Sequence, residues 1–209
     1  MIRKTVAPAR PRGRPRGFDR DKALGCALRL FWRRGFEPTS ISDLTKAMRI
    51  TPPALYTAYG DKKRLFLETV DRYQAGPGCF GIKALTEEPT AYRSMRRLLM
   101  DAVATFSNPK NPKGCLMVLG ATNCAAESAD ISIALADRRR AAEVAVRNRI
   151  AAGHAAGELT KGADVEALTG LITATLYGLA IKARDGASGA RLQKIVDQVM
   201  RMWPRRSLR

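Results

Sequence analysis

The 209-residue chain is 45% hydrophobic and 27% charged, which is enough apolar content for a buried core in one or two domains. Its 37 Lys/Arg against 19 Asp/Glu leave a formal charge of +18, an excess that favours polyanionic partners, nucleic acid first. The four cysteines (Cys26, Cys79, Cys115, Cys124) share no C-x-x-C spacing and His154 is the single histidine, which argues against a metal site and a disulfide framework and leads us to expect a reduced cytoplasmic compartment.

Basic density is highest at the front: residues 1–75 carry 17 Lys/Arg against 7 Asp/Glu. Residues 1–17 read as a basic arm, and within it PRGRPRG sets Arg12, Arg14 and Arg16 at alternate positions among prolines and glycines, which oppose helix. No apolar run follows the basic start, so no secretory signal is expected. Asp19 is placed to cap a first helix whose apolar face holds Ala23, Leu24, Ala27, Leu28 and Phe31, with Gly35 as its stop. Ser40, with Asp43 three residues on, predicts a capping box and a short second helix facing inward through Ile41, Leu44 and Met48. After Arg49-Ile50, Thr51 fits an N-cap, and Pro52 and Pro53 are tolerated in the first turn of a third helix that ends at Gly60. Asp61 caps a fourth, longer helix carrying Phe66, Val70 and Tyr73.

The segment AGPGCFG (75–81) reads as a break and as the boundary between a domain of residues 18–75 and one of 76–209. Helical periodicity then predicts helices at about 90–107, 114–127, 129–156, 163–184 and 188–203, giving an all-α chain of about nine helices. The uncharged run 167–181 is shorter than the roughly 18–20 residues of a membrane span, so a helix buried on several sides is expected instead. The last two helices are apolar enough to serve as a subunit interface.

Two short helices joined by a tight break directly after a basic arm form a helix-turn-helix pattern, whose second member lies in a DNA major groove. The stretch SISDLTKAMRITPPALYTAYGDKKRLF (40–66) resembles the DNA-binding signature of the TetR-type repressor family, through Thr39-Ser40, Ile50-Thr51, Leu55-Tyr56 and Tyr59 followed by Lys62. The resemblance spans about residues 18–73. It implies a ligand-responsive, sequence-specific regulator, most often a repressor, that binds a palindromic double-stranded operator as a homodimer and is released by a small-molecule effector. It further implies that Thr39 and Ser40 meet phosphates, and that Thr51, Pro52, Pro53, Ala54 and Thr57 face the groove. Tyr56, Tyr59 and Lys62 would meet the backbone, although Tyr59 fits the core equally well. The family has glycine where Arg49 stands, so the arginine either accepts about 1–2 kcal/mol of strain or bends the turn differently. Arg12-Gly13-Arg14-Pro15 is similar to the AT-hook core, which would set Arg12, Arg14 and Arg16 in the flanking minor groove.

Phe66 and Tyr73 on the fourth helix, with Tyr92, Leu99, Val103, Phe106, Leu119 and Tyr177 from the second domain, are candidates to line an effector pocket, each also explicable as core. Cys115 and Cys124 are candidates for redox or electrophile sensing, if Lys110 or Lys113 favours a thiolate. Nothing in the sequence builds an enzyme active site or calls for a cofactor. An architectural DNA-binding protein of low sequence specificity is the rival reading, and no basic amphipathic helix points to a membrane surface.

Overall fold

A computed structural model describes residues 18–205. Within them the chain forms α1 (Arg20–Arg34), α2 (Ile41–Met48), α3 (Pro52–Tyr59), α4 (Lys62–Ala75), α5 (Phe80–Glu87), α6 (Ala91–Phe106), α7 (Leu116–Leu119), α8 (Ala129–Ala155), α9 (Val165–Arg184) and α10 (Gly189–Arg201), with a 3₁₀ turn at Ala126–Ser128. Among the described residues the only β pairing is an isolated bridge between Leu159 and Arg205.

The first four helices start where their sequences provide oxygen acceptors. Asp19 accepts the N–H groups of Asp21 and Lys22, and Ser40 and Asp43 close a reciprocal capping box. Thr51 accepts from Ala54 and Asp61 from Arg64, so the end of each helix has a partner for a donor that would otherwise be orphaned. These helices enclose an aromatic core. Phe66 meets Phe31 and Phe36 edge-on with ring centroids 5.0 and 5.1 Å apart, and Trp32 meets Tyr73 at 4.7 Å. Leu44, Leu55 and Leu65 fill the space between, all fully buried.

Two predicted elements differ. The break at 75–81 is shorter than expected, because α5 begins at Phe80 immediately after Gly76-Pro77-Gly78. The helix expected over 114–127 is only Leu116–Leu119 plus the 3₁₀ turn. Gly120, Thr122 and Asn123 are weak helix formers and interrupt it. The remaining predicted helices lie within two residues of their observed ends.

In the second half, α6 is the hub, packing against α5, α8, α9 and α10. At 20 residues α9 is long and apolar enough for a membrane span by length and composition, beyond the shorter run expected from sequence. Here it packs on four other helices, α6, α7, α8 and α10, and leaves Ala167, Gly170, Leu171, Ala174 and Ile181 outward along one stripe.

One continuous buried cluster joins the halves. Trp32 Nε1 donates to the Gly114 carbonyl at 3.0 Å, and the Phe36 N–H to the Gly120 carbonyl at 2.7 Å. Lys63 reaches Asp130 and the Glu127 carbonyl at 2.7 Å. Arg138 on α8 bridges Asp71 and Gln74 on α4, both at 2.5 Å.

Candidate nucleic-acid interface and internal cavity

The turn between α2 and α3 places Arg49 at φ 55° and ψ 45°, the one left-handed non-glycine among the described residues. Its conformation resolves the alternative left open by the sequence: the arginine accepts the strain, and the turn keeps its shape. The N–H groups of Arg49 and Ile50 return to carbonyls in the last turn of α2, which closes that helix. From α3, Thr51, Pro52, Pro53, Tyr56 and Thr57 are exposed together and Ala54 is half-buried, while Leu55 and Tyr59 point inward. Tyr56 has 49% of its surface exposed, unusual for a tyrosine on an eight-residue helix beside a closed core. This face sits on a fixed base. Arg20 pairs with both carboxylate oxygens of Glu68, at 2.6 and 2.8 Å, and lies 4.5 Å over the Tyr59 ring. Asp21 pairs with Arg72, and Arg34 with Asp43 at 3.1 Å.

Some expected contacts are taken up within the protein. Thr39 is fully buried, and its hydroxyl donates to the Gly35 carbonyl at 2.7 Å, so it does not face phosphate. The Tyr59 hydroxyl donates to the Arg20 carbonyl at 2.8 Å, which makes it a strut between α1 and α3 and not a surface donor. Lys62 lies 4.3 Å over the Phe36 ring and donates to the Glu37 carbonyl at 3.3 Å. Burial lowers its pKa, partly offset by Glu37. Ser40 is exposed as expected. Arg12, Arg14 and Arg16 lie outside the described residues.

A cavity of about 250 Å³ lies between α4, α5, α6, α8 and α9, with the start of α7 closing one end. Three of the eight expected lining residues reach it: Tyr73, Phe106 and Tyr177. Phe66, Leu99 and Val103 are core residues turned elsewhere, and Leu119 and Tyr92 also lie away from it. Tyr92 stacks under Arg205 at 3.4 Å, beyond the cavity walls.

The cavity's polar groups are few. The Tyr73 hydroxyl donates to Cys115 Sγ at 3.3 Å. Burial pushes the Tyr73 phenol well above its ordinary pKa, and it raises Tyr177 too, with Glu143 adding to the effect. Among the described residues the Tyr177 hydroxyl forms no hydrogen bond, so it remains a neutral donor for an occupant. Burial also raises the Cys115 and Cys124 thiols, and neither Lys110 nor Lys113 is among the charges acting on them. The charges that favour the thiolates are Lys62 at Cys124 and Arg139 at Cys115, and burial outweighs both; Lys113 donates to the Ser107 carbonyl. Sequence reasoning missed the wall built by Cys79, Phe80, Ile82 and Leu85, since Gly-Pro-Gly masked α5, and it missed Arg138, Arg139 and Glu143 at the rim. The apolar spacing Phe80, Ala84, Leu85 was the available signal.

Both halves match known families. Residues 24–69 match the family described as bacterial regulatory proteins, tetR family, and residues 91–199 the tetracyclin repressor-like C-terminal domain. The chain belongs to the TetR family. It is 33% identical over 204 residues, 96% of each chain, to the HTH-type transcriptional repressor ComR of Escherichia coli (strain K12). It is 27% identical over 184 residues, 88% of each, to the transcriptional repressor BdcR of the same organism. Among solved TetR structures, a double cysteine mutant of CifR complexed with a 26 bp operator DNA is 38% identical with a TM-score of 0.87, over 91% of this chain and 100% of that one. Escherichia coli NemR in its reduced form shares the fold alone, at 17% identity and a TM-score of 0.74 over 90% and 98%. TetR membership makes the chain a DNA-binding transcriptional regulator and a homodimer, with α2–α3 as the helix-turn-helix.

Proposed function

We propose that this regulator is a repressor whose two α3 helices occupy half-sites of an inverted-repeat operator, and that a small apolar effector in the cavity releases it. The observation carrying this reading is the double role of α4. It packs on α1 and α3 in the DNA-binding half, and through Tyr73 and Gln74 it forms a wall of the cavity. An occupant that displaces Tyr73 tilts α4 and spoils the half-site separation of about 34–36 Å needed for both recognition helices to dock. A wall of leucine, phenylalanine and neutral phenol favours an uncharged effector with one acceptor for the Tyr177 hydroxyl.

In this reading residues 18–75 are the reading head, 76–209 the sensing and dimerising part, and 1–17 an arm. Arg12, Arg14 and Arg16 occupy the minor groove beside the recognition helix and favour its narrow A·T-rich form. Ser40 meets a phosphate at the start of α2, Tyr56 meets another, and Thr51, Pro52, Pro53, Ala54 and Thr57 face the bases. The protein acts in the cytoplasm, by binding and not by catalysis.

Selection of binding sites from random duplex DNA tests this, with the wild type beside Arg12→Ala/Arg14→Ala/Arg16→Ala. An enriched inverted repeat is expected, the variant losing only its A·T-rich flanks. Salt-sensitive binding with no enriched motif would replace this reading by a DNA-coating role.

A further inference from the structure

We propose that a basic cleft at the seam between the two halves is a second ligand site, separate from the effector cavity, which takes a multiply charged phosphate-type anion. The cleft holds about 350 Å³ and is bounded by the outer face of α1, the loop between α6 and α7, and the end of α9. Its charged lining is entirely cationic: Arg29, Arg33, Lys110, Lys113 and Arg184. Among the described residues, Arg29, Arg33, Lys110 and Lys113 have no carboxylate partner. Elsewhere along the seam basic groups are neutralised, as in Lys63–Asp130 and Arg138–Asp71. Five like charges around one concavity repel each other, and a bound anion relieves that repulsion.

The arrangement is built and not a stretch of solvated surface. Arg29 and Arg33 lie one turn apart on one face of α1. Lys110 and Lys113 come from a tandem Asn-Pro-Lys doublet, 108–113, in which the prolines fix φ and Asn108 Oδ1 accepts the Lys110 N–H at 2.9 Å. Gly114 then turns the chain at φ 82°, so close to α9 that a Cβ would stand 2.8 Å from the Ala180 carbonyl oxygen. Arg184 forms the floor. Its guanidinium donates to the Trp32, Arg33 and Lys113 carbonyls at 2.8, 3.0 and 3.0 Å, leaving two of its five N–H groups for a ligand. Guanidinium forks and ammonium groups converging on one volume match the oxygens of linked phosphates.

The proposed occupant is a small anion. The operator backbone, which would pass the Ser40 end of α2 that Arg34–Asp43 ties to this end of α1, is the alternative tested below. Arg33 lies at the end of α1 remote from Arg20, about 20 Å away by helical rise, and α1 meets α3 at the Arg20 end. An anion here braces the three elements that Arg184 already joins.

Calorimetric titration with tripolyphosphate at near-physiological salt tests the site, without DNA present. Wild type is compared with Arg33→Gln/Lys110→Gln/Lys113→Gln and with Arg12→Ala/Arg14→Ala/Arg16→Ala, which removes the same number of charges from the arm. The cleft substitutions lie on exposed side chains and spare Arg184, so cooperative thermal unfolding is retained and is checked. We expect saturable binding by wild type and the arm variant, at least tenfold weaker in the cleft variant, with a Tm rise confined to the first two. Equal affinity in all three proteins, absence of binding by wild type, or loss of binding in the arm variant overturns the site. A short duplex of unrelated sequence is the second titrant: if the cleft substitutions weaken duplex binding and tripolyphosphate fails to bind, the cleft is a DNA contact and the proposal fails.

Discussion

The reading head and the cavity walls start their helices in different ways. All four helices of the head begin on a side chain that accepts a backbone N–H: Asp19, Ser40, Thr51 and Asp61. Around the cavity the starts are mixed: α6 and α9 begin on Thr90 and Asp164, which accept a backbone N–H, whereas α5, α7 and α8 begin at Cys79, Cys115 and Ser128, none of which makes a side-chain cap bond. The head carries paired ions such as Arg20–Glu68, whereas α5 buries only Ala84 and exposes 67% of Ile82. A unit that must present one face to DNA has every helix start fixed. Of the cavity walls, α5 and α8 lack such a fixed start, and local opening is cheaper at those ends.

One substitution made in both regions breaks or sharpens this contrast most directly. Leu55→Ala removes a fully buried side chain between α2 and α4 and should cost about 2–5 kcal/mol in chemical denaturation. Leu85→Ala, half-buried against the cavity, should cost about 1 kcal/mol or less, since part of its surroundings is already empty. Equal losses would remove the distinction. Next in size is Ser40→Ala. Loss of the capping box should cost about 1 kcal/mol, and operator affinity should fall with it by more than stability alone explains. Arg49→Gly works in the opposite direction. It relieves the left-handed strain but adds freedom to the unfolded chain, so a net gain of roughly 0.5–1 kcal/mol is expected. No gain would mean that Arg49 makes compensating contacts in the turn.

The smallest effects are those of pH, and they should separate the two regions by direction. Hydrogen bonds from Ser40, its side chain first, hold Asp43 below the ordinary value of 3.8, and Arg72 does the same for Asp21. Depressed in the folded state, these carboxylates contribute stability above 3.8 that is lost as pH falls through their folded values. Around the cavity, burial raises Cys115 from 9.0 and Tyr73 and Tyr177 from 10.0. Their contribution is complete below those ordinary values and is lost as pH rises past them. Circular dichroism across both limbs should show Ser40→Ala flattening only the acid side and Tyr73→Phe only the alkaline side. Identical changes on both limbs would contradict the division.

The head was legible in the sequence because its signals are local. Caps, prolines and glycines within a few residues fix α1 to α4, and the exposed row on α3 follows from its 3.6-residue period. Thr39 turns inward to the Gly35 carbonyl four residues back, and Tyr59 takes the core alternative because folding brings the Arg20 carbonyl within reach of its hydroxyl. The cavity was less legible still. Tyr73, Phe106 and Tyr177 were found, but Phe66, Leu99 and Val103 obey the same periodicity and face the solid core. A void has no composition of its own. It is what remains when α5, α8 and α9 fail to fill the space beside α4, and only their packing reveals it.

Trp32 stands on the seam, held by the Gly114 carbonyl and edge-on to Tyr73. The chain has one other tryptophan, Trp203, near the far end of α10. A Trp203→Phe protein would therefore carry a single tryptophan whose indole N–H belongs to one half and whose hydrogen-bond acceptor belongs to the other. Its emission wavelength and lifetime would report the seam between the halves optically, in free protein and on operator, without any attached dye.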